Sequence, residues 1–184
     1  MNLIQASKKI TLFALASTSL VLMRASADTY SWTNFQSDIA GVAAHTDPDL
    51  VNPWGLTASA GGVIWVADNG TGVSTLYRQD GTKNSLVVTI PTAARNREGG
   101  NPTGTIVNPT QVFKVTLNGN SQPARFLFVS EDGSISGWNP ALDPTHAIIA
   151  VDNGKNKGSK SAIYKGVALG VSNGKNFLLS LIHI

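Results

Sequence analysis

There is no cysteine in these 184 residues. That absence excludes disulfide staples, thiolate metal sites and cysteine nucleophiles, and leaves the hydrophobic core as the only internal brace. Charge is scarce as well. Only 14% of residues are Asp, Glu, Lys or Arg, against about a quarter in an average soluble domain. Sustained helical period is missing beyond the first residues. Long apolar runs are also absent, with one exception: "ITLFALASTSLVLM", which follows Lys8 and Lys9 and precedes "RASA". Basic, then apolar, then small residues is the order of a secretory signal peptide, cleaved after Ala27. The run is shorter than the roughly 20 residues that span a bilayer. Residues 1–27 are therefore expected to be a leader helix, and the exported chain, periplasmic or extracellular, to carry no membrane span.

Without that leader the charge balance changes. Lys8, Lys9 and Arg24 leave with it, so eleven basic residues face eleven acidic ones. A neutral chain lacks the basic face that nucleic acid requires. The lysines of the last thirty residues, among them Lys165 and Lys175, read as a solvated face.

What is present is a succession of short apolar runs divided by Gly, Asn, Asp and Pro. "VIWVA" (63–67), "VSTLY" (73–77), "SLVVTI" (85–90), "QVFKVTL" (111–117), "RFLFVS" (125–130), "SISGW" (134–138), "AIIAV" (147–151), "GVALGV" (166–171) and "NFLLS" (176–180) read as strands. The fold class is all-β. The strands also repeat: "LFVSEDGSISGW" aligns on "IWVADNGTGVSTLY", and "KGVALGVSNGKNFLLS" on "PWGLTASAGGVIWVA". A period of about fifty residues built from strand, turn and strand is that of a β-propeller blade; a β-sandwich is the structural alternative. "PTAARNREGGNPTGTIVNP" (91–109) reads as an exposed loop between blades. The third copy stops short at "LIHI". About three blades cannot close a ring that needs four to eight, so the chain is expected to be a fragment. Its partial propeller domain covers residues 28–180, and the tail 181–184 resembles sequencing read-through.

Three segments contain residue types that could carry chemistry. Asp68-Asn69-Gly70 lacks the alternating oxygen ligands of a calcium loop. Asx-Gly recurs at 69–70, 80–81, 118–119, 132–133, 153–154 and 173–174, which marks it as hairpin punctuation. Asn69-Gly70-Thr71 is also a glycosylation sequon. "GVSNG" around Ser172 imitates a nucleophile elbow, but a strand follows where that motif needs a helix. "AAHTDPDLVNPWGL" (43–56) gathers His45, Asp47, Asn52 and Trp54, the densest set of candidate ligand-binding residues. His and Asp two apart can serve proton transfer or ligation, although Asp-Pro and Asn-Pro are equally turn initiators.

"SDIAGVAAHTDPDLVNPWGL", "GGVIWVADNGTGVSTLY", "GNPTGTIVN", "FLFVSEDGSISGWNP" and "YKGVALG" together resemble a family of uncharacterised exported bacterial proteins, some with a PEP-CTERM-type sorting signal. The resemblance implies a propeller of about six blades, similar to NHL-repeat and SMP-30-like proteins, with about three in this chain. It implies no activity. The functional expectation is accordingly binding of a small molecule, glycan or protein at a propeller face, with no catalytic residue and no evident cofactor. The alternative is a divalent-metal-dependent lactonase or esterase. In that case Asp68, Asn69, Glu131 and Asp132, which follow equivalent strands, would ring a Ca2+ ion.

Overall fold

The computed structural model describes residues 30–93, 100–154 and 161–183. The chain divides into two compact units, 1–32 and 33–184, and the architecture below is that of the second. The leader assigned to residues 1–27 lies outside the described residues. Among the described residues every regular element is a strand, and no helix is long and apolar enough to cross a membrane.

Fourteen strands follow in order. They are β1 (Gln36–Ser37), β2 (His45–Thr46), β3 (Pro53–Ala58), β4 (Ile64–Asp68), β5 (Val73–Tyr77), β6 (Lys83–Thr89), β7 (Pro102–Val107), β8 (Lys114–Leu117), β9 (Asn120–Pro123), β10 (Phe126–Ser130), β11 (Ser134–Trp138), β12 (Ile148–Asp152), β13 (Ile163–Ser172) and β14 (Lys175–His183). Two four-stranded antiparallel sheets form, β3-β4-β5-β6 and β7-β10-β11-β12, and β13 and β14 pair as a hairpin. The hairpin β8–β9 is inserted between the first two strands of the second sheet.

The aligned repeats occupy equivalent places. Gly55 pairs with Ala67 and Gly104 with Val129. Just before each glycine the ladder slips by one residue, leaving Trp54 and Thr103 unpaired. The hairpin shows the same slip between Tyr164 and Gly166, which leaves Lys165 out. These are β-bulges, which bend a strand and re-aim the extra side chain. The leading strands β3, β7 and β13 lie side by side with β7 in the middle. Their approach explains the glycines. A Cβ on Gly55 would stand 2.7 Å from the Thr105 nitrogen, and one on Gly104 2.9 Å from the Val167 nitrogen.

Alternation does the packing, since successive side chains leave opposite faces. Trp65, Leu76 and Val88 of the first sheet meet Phe126, Phe128 and Trp138 of the second, with the Trp65 and Phe126 rings stacked at 3.9 Å. The other face of the second sheet presents Leu127 and Val129. Leu127 packs with Val115, Ala124, Leu169 and Leu178, and Val129 with Tyr164 and Val167. The result is an open face-to-face stack whose leading strands run along one side.

Two expectations change at this level. Residues 102–107, assigned to a loop, form β7, the buried central leading strand. Pro102 sits at its first position, where a ladder donor is dispensable, and Gly104 is required by the neighbouring backbone; composition alone made both look like loop signals. Residues 94–99 of the same segment lie outside the described residues. "QVFKVTL" forms a strand as expected, over Lys114–Leu117, and it belongs to the inserted hairpin. Finally, Asn69-Gly70 is not a two-residue turn. Residues 69–72 form a longer loop in which Gly72, at φ 70°, takes the left-handed conformation and bonds back to the Asp68 carbonyl at 3.0 Å. Among the six Asx-Gly pairs, only Asn118-Gly119 and Asn173-Gly174 have positive φ at both residues, the signature of a type I′ hairpin.

Candidate functional site

The segment before β3 works as a strap. Asp47 is buried and has three donors: the Tyr77 hydroxyl at 2.6 Å, the Lys83 ammonium at 2.6 Å and the Asp49 amide at 3.0 Å. Lys83 also reaches Asp49 at 2.7 Å. Burial alone would raise the Asp47 carboxyl, but the bonds from Lys83 and Tyr77 outweigh it and hold the group below the usual carboxylate range. Burial, reinforced by Asp47, pushes the Tyr77 phenol up. His45, in contrast, is exposed in the short strand β2. Asp47 has turned into the core, and the two do not form an imidazole–carboxylate pair.

The strap then clamps the 69–72 loop. Thr71 Oγ1 donates to the Asp49 carbonyl at 2.7 Å, Gly70 N–H to Val51 at 3.0 Å and Asn69 N–H to Asn52 at 3.2 Å. Asn52 adopts φ 50°, a left-handed conformation that Asn tolerates better than most residues.

Asn52 also opens a polar chain across two sheets. Its Nδ2 donates to Asn69 Oδ1 at 3.1 Å, and Asn69 Nδ2 donates to Glu131 Oε2 at 3.1 Å. Lys165 donates to the other Glu131 oxygen, Oε1. Asn101, just before β7, ties the two halves: its Nδ2 donates to the Asn69 carbonyl at 3.3 Å, and its own carbonyl accepts the Glu131 amide at 3.0 Å. Burial raises the Glu131 carboxyl, but the bonds from Lys165 and Asn69 more than compensate and keep it ionised below its ordinary range. Above this chain the Lys165 ammonium lies 5.1 Å from the centre of the Trp54 ring, within cation–π reach. Trp54 and Lys165 are the residues displaced by the first and third bulges. Between their strands the middle bulge residue, Thr103, is buried and donates to the Tyr164 carbonyl at 2.8 Å.

Asn69, Glu131, Asn52 and Trp54, taken from two different predicted sets, are thus brought together at the bulged ends of the leading strands. Asp68 and Asp132 are not. Asp68 is fully buried beneath the loop, where its Oδ2 accepts Thr75 N–H at 3.0 Å and Thr75 Oγ1 at 2.8 Å. Its Oδ1 has no hydrogen-bond partner among the described residues. Burial pushes this carboxyl up to about 7. Asp132 locks its own turn, accepting from Ala93 N–H at 2.6 Å, Ser134 N–H at 3.0 Å and Ser134 Oγ at 2.7 Å. Among the described residues no group of three His, Cys, Asp or Glu converges as a metal cage. The sequon asparagine, Asn69, is buried and fully engaged; it offers no exposed amide for glycosylation in the folded chain.

Sequence reasoning missed Lys165 and Asn101. Lys165 was discoverable, because the alignment of "KGV" on "WGL" places it on Trp54. Asn101 was hidden because β7 was unrecognised.

The class these features define is an all-β chain of stacked antiparallel sheets with a polar cluster at the ends of its leading strands. No known family's sequence profile matches it. The chain is 36% identical to Uncharacterized protein R648 of Acanthamoeba polyphaga mimivirus over 110 residues, which are 60% of this chain and 27% of that protein. It is 34% identical to Uncharacterized protein L690 of the same virus over 128 residues, 70% of this chain and 33% of that protein. The matched stretches thus span a third or less of these relatives. These viral relatives overturn the expectation of a bacterial exported family of NHL or SMP-30 type, and nothing in the comparisons supports the leader that was read with it. The physical reason is that strand, Asx-Gly turn and strand is a pattern shared by many unrelated antiparallel hairpins. Such likeness carries sheet architecture and not lineage.

Proposed function

We propose that this chain forms part of a radially stacked, propeller-like β protein and binds a small polar ligand at the bulged ends of its leading strands. The observation that carries the reading is the convergence of Asn52, Asn69, Glu131, Lys165 and Trp54 from elements far apart in sequence. Turn closure explains Asp68 and Asp132, and core packing explains Trp65 and Trp138. Neither explains a half-exposed indole facing an ammonium that already has a carboxylate partner. Two sheets in one register, with their leading strands in a row, support the propeller arrangement. A cluster where several strand ends meet is also where folds of stacked elements place ligands.

Protein-observed NMR with a library of small polar compounds tests this reading. Binding compounds should shift the Trp54 indole N–H and the side-chain amides of Asn52 and Asn69 before any others. Hits that cluster elsewhere and leave those three signals still would overturn it.

A further inference from the structure

The chemistry of the cluster narrows the ligand, given the binding reading above. We infer that the site takes a neutral saccharide, stacked on the exposed part of the Trp54 ring and hydrogen-bonded by Asn52, Lys165 and Glu131.

The electrostatics come first. Lys165 and Glu131 are joined directly, so the cluster presents one positive and one negative charge that cancel. A cation arriving here would have to displace the ammonium from its carboxylate. An anion would have to draw Lys165 away from the same partner. A neutral molecule leaves the pair intact. Hydrogen-bonding capacity comes second. Asn52 Nδ2 is used on Asn69, and no partner among the described residues takes Asn52 Oδ1, although the residue is exposed. The ammonium carries three N–H donors, of which Glu131 takes one. Each Glu131 oxygen accepts one bond and has a second lone pair. Acceptors and donors therefore stand side by side, and this mixture matches hydroxyl groups, which both donate and accept. The third element is the apolar platform. Trp54 keeps 47% of its surface exposed, and the bulge holds it out of the ladder rather than leaving it to swing. The C–H face of a pyranose is the complement of such a ring: weakly positive hydrogens over a negative π-face.

The full chain would be titrated by isothermal calorimetry and protein-observed NMR with three groups of probes. These are neutral mono- and oligosaccharides, small organic anions (a carboxylate and a phosphate monoester), and CaCl2. At least one neutral saccharide should bind with little dependence on salt. Trp54→Ala should weaken it about tenfold, the scale of one lost aromatic contact. Trp54→Tyr should restore most of that loss, and Glu131→Gln should weaken binding severalfold. Trp54 is a surface residue, so the variants should keep the wild-type circular dichroism and melting profile. A Trp54→Ala protein that misfolds would shift the test to wild type, Trp54→Tyr and Glu131→Gln, where equal saccharide affinity in all three proteins overturns the proposal. Binding of the anions in a Lys165-dependent way, with no saccharide bound, overturns the saccharide assignment but leaves the binding site standing. If no probe of any class shifts the Trp54 or Asn52 signals, both readings fall.

Discussion

Replacing Asp68 by asparagine tests the most unusual ionisable group in the fold. The carboxyl is 0% exposed, accepts two bonds on one oxygen from Thr75, and leaves the other oxygen without a partner among the described residues. Desolvation dominates, and the folded-state pKa rises from 3.8 to about 7. Between those values the folded chain holds a proton that the unfolded chain has released. Raising the pH across this window therefore favours unfolding. The stabilising protonated form is fully present below about pH 4 and its contribution is gone above about pH 7. A shift of roughly 3 units corresponds to on the order of 4 kcal/mol. The substituted amide would imitate the protonated acid, keeping an acceptor for Thr75 and carrying no charge. The assay is urea unfolding of wild type and Asp68→Asn at half-unit steps from pH 4 to pH 8. Taking the difference cancels groups that titrate alike in both proteins. The variant should gain on the wild type by about 4 kcal/mol across it, about half of that being enough to support the reasoning. A difference that stays flat from pH 4 to pH 8 would mean that Asp68 ionises normally, through solvent access or an unrecognised donor, and would refute it.

Other consequences are equally direct. Asp47→Ala leaves the Tyr77 hydroxyl without its acceptor and Lys83 with Asp49 alone and should cost about 1–3 kcal/mol in chemical denaturation; in wild type this carboxylate's contribution is present above about pH 4 and lost as acid titrates it. Gly104→Ala forces a Cβ to within 2.9 Å of the Val167 backbone, whereas Gly166→Ala meets nothing within 4 Å. Thermal melts should show the first strongly destabilised and the second nearly unchanged. Phe128, fully buried between the two sheets, should cost about 3–5 kcal/mol on truncation to Ala. Asn173→Ala replaces, at φ 48° in the β13–β14 turn, a residue that tolerates the left-handed region with one that does so poorly, and should loosen that hairpin, read as faster amide hydrogen exchange in β14 than in wild type with β4 unchanged.

The all-β class and the pairing of repeats were legible because both depend on local signals: alternation and turn residues. The Trp65–Phe126–Trp138 core follows from the same alternation once the sheets face each other. β7 was not legible, because its glycine and proline answer to a neighbouring strand that the sequence does not place beside it. The cluster was half legible. Aligning the repeats put Asp68, Asn69, Glu131 and Asp132 after equivalent strands, and of these four Asn69 and Glu131 meet although 62 residues apart. Nothing local separates Asn69, whose side chain crosses to the next sheet, from Asp68, whose side chain folds back on Thr75. That choice belongs to the parity of the strand: Asp68 continues its alternation into the interior, and Asn69 begins the loop. His45 and Asp47 illustrate the opposite error, since proximity in sequence suggested a pair, whereas Asp47 is held in the core by Tyr77 and Lys83 and His45 is exposed.

The shared slip in the leading strands has a consequence for how such a protein could change. At each slip one residue stands outside the hydrogen-bonded lattice, and in this chain those positions hold a tryptophan, a threonine and a lysine with one backbone geometry beneath all three. The lattice sets where the side chain is shown and leaves its identity open. Under the binding role proposed above, exchanging residues at 54 and 165 would alter what the surface recognises while the pairing register stays as it is, so the fold would separate the alphabet of recognition from the grammar of assembly.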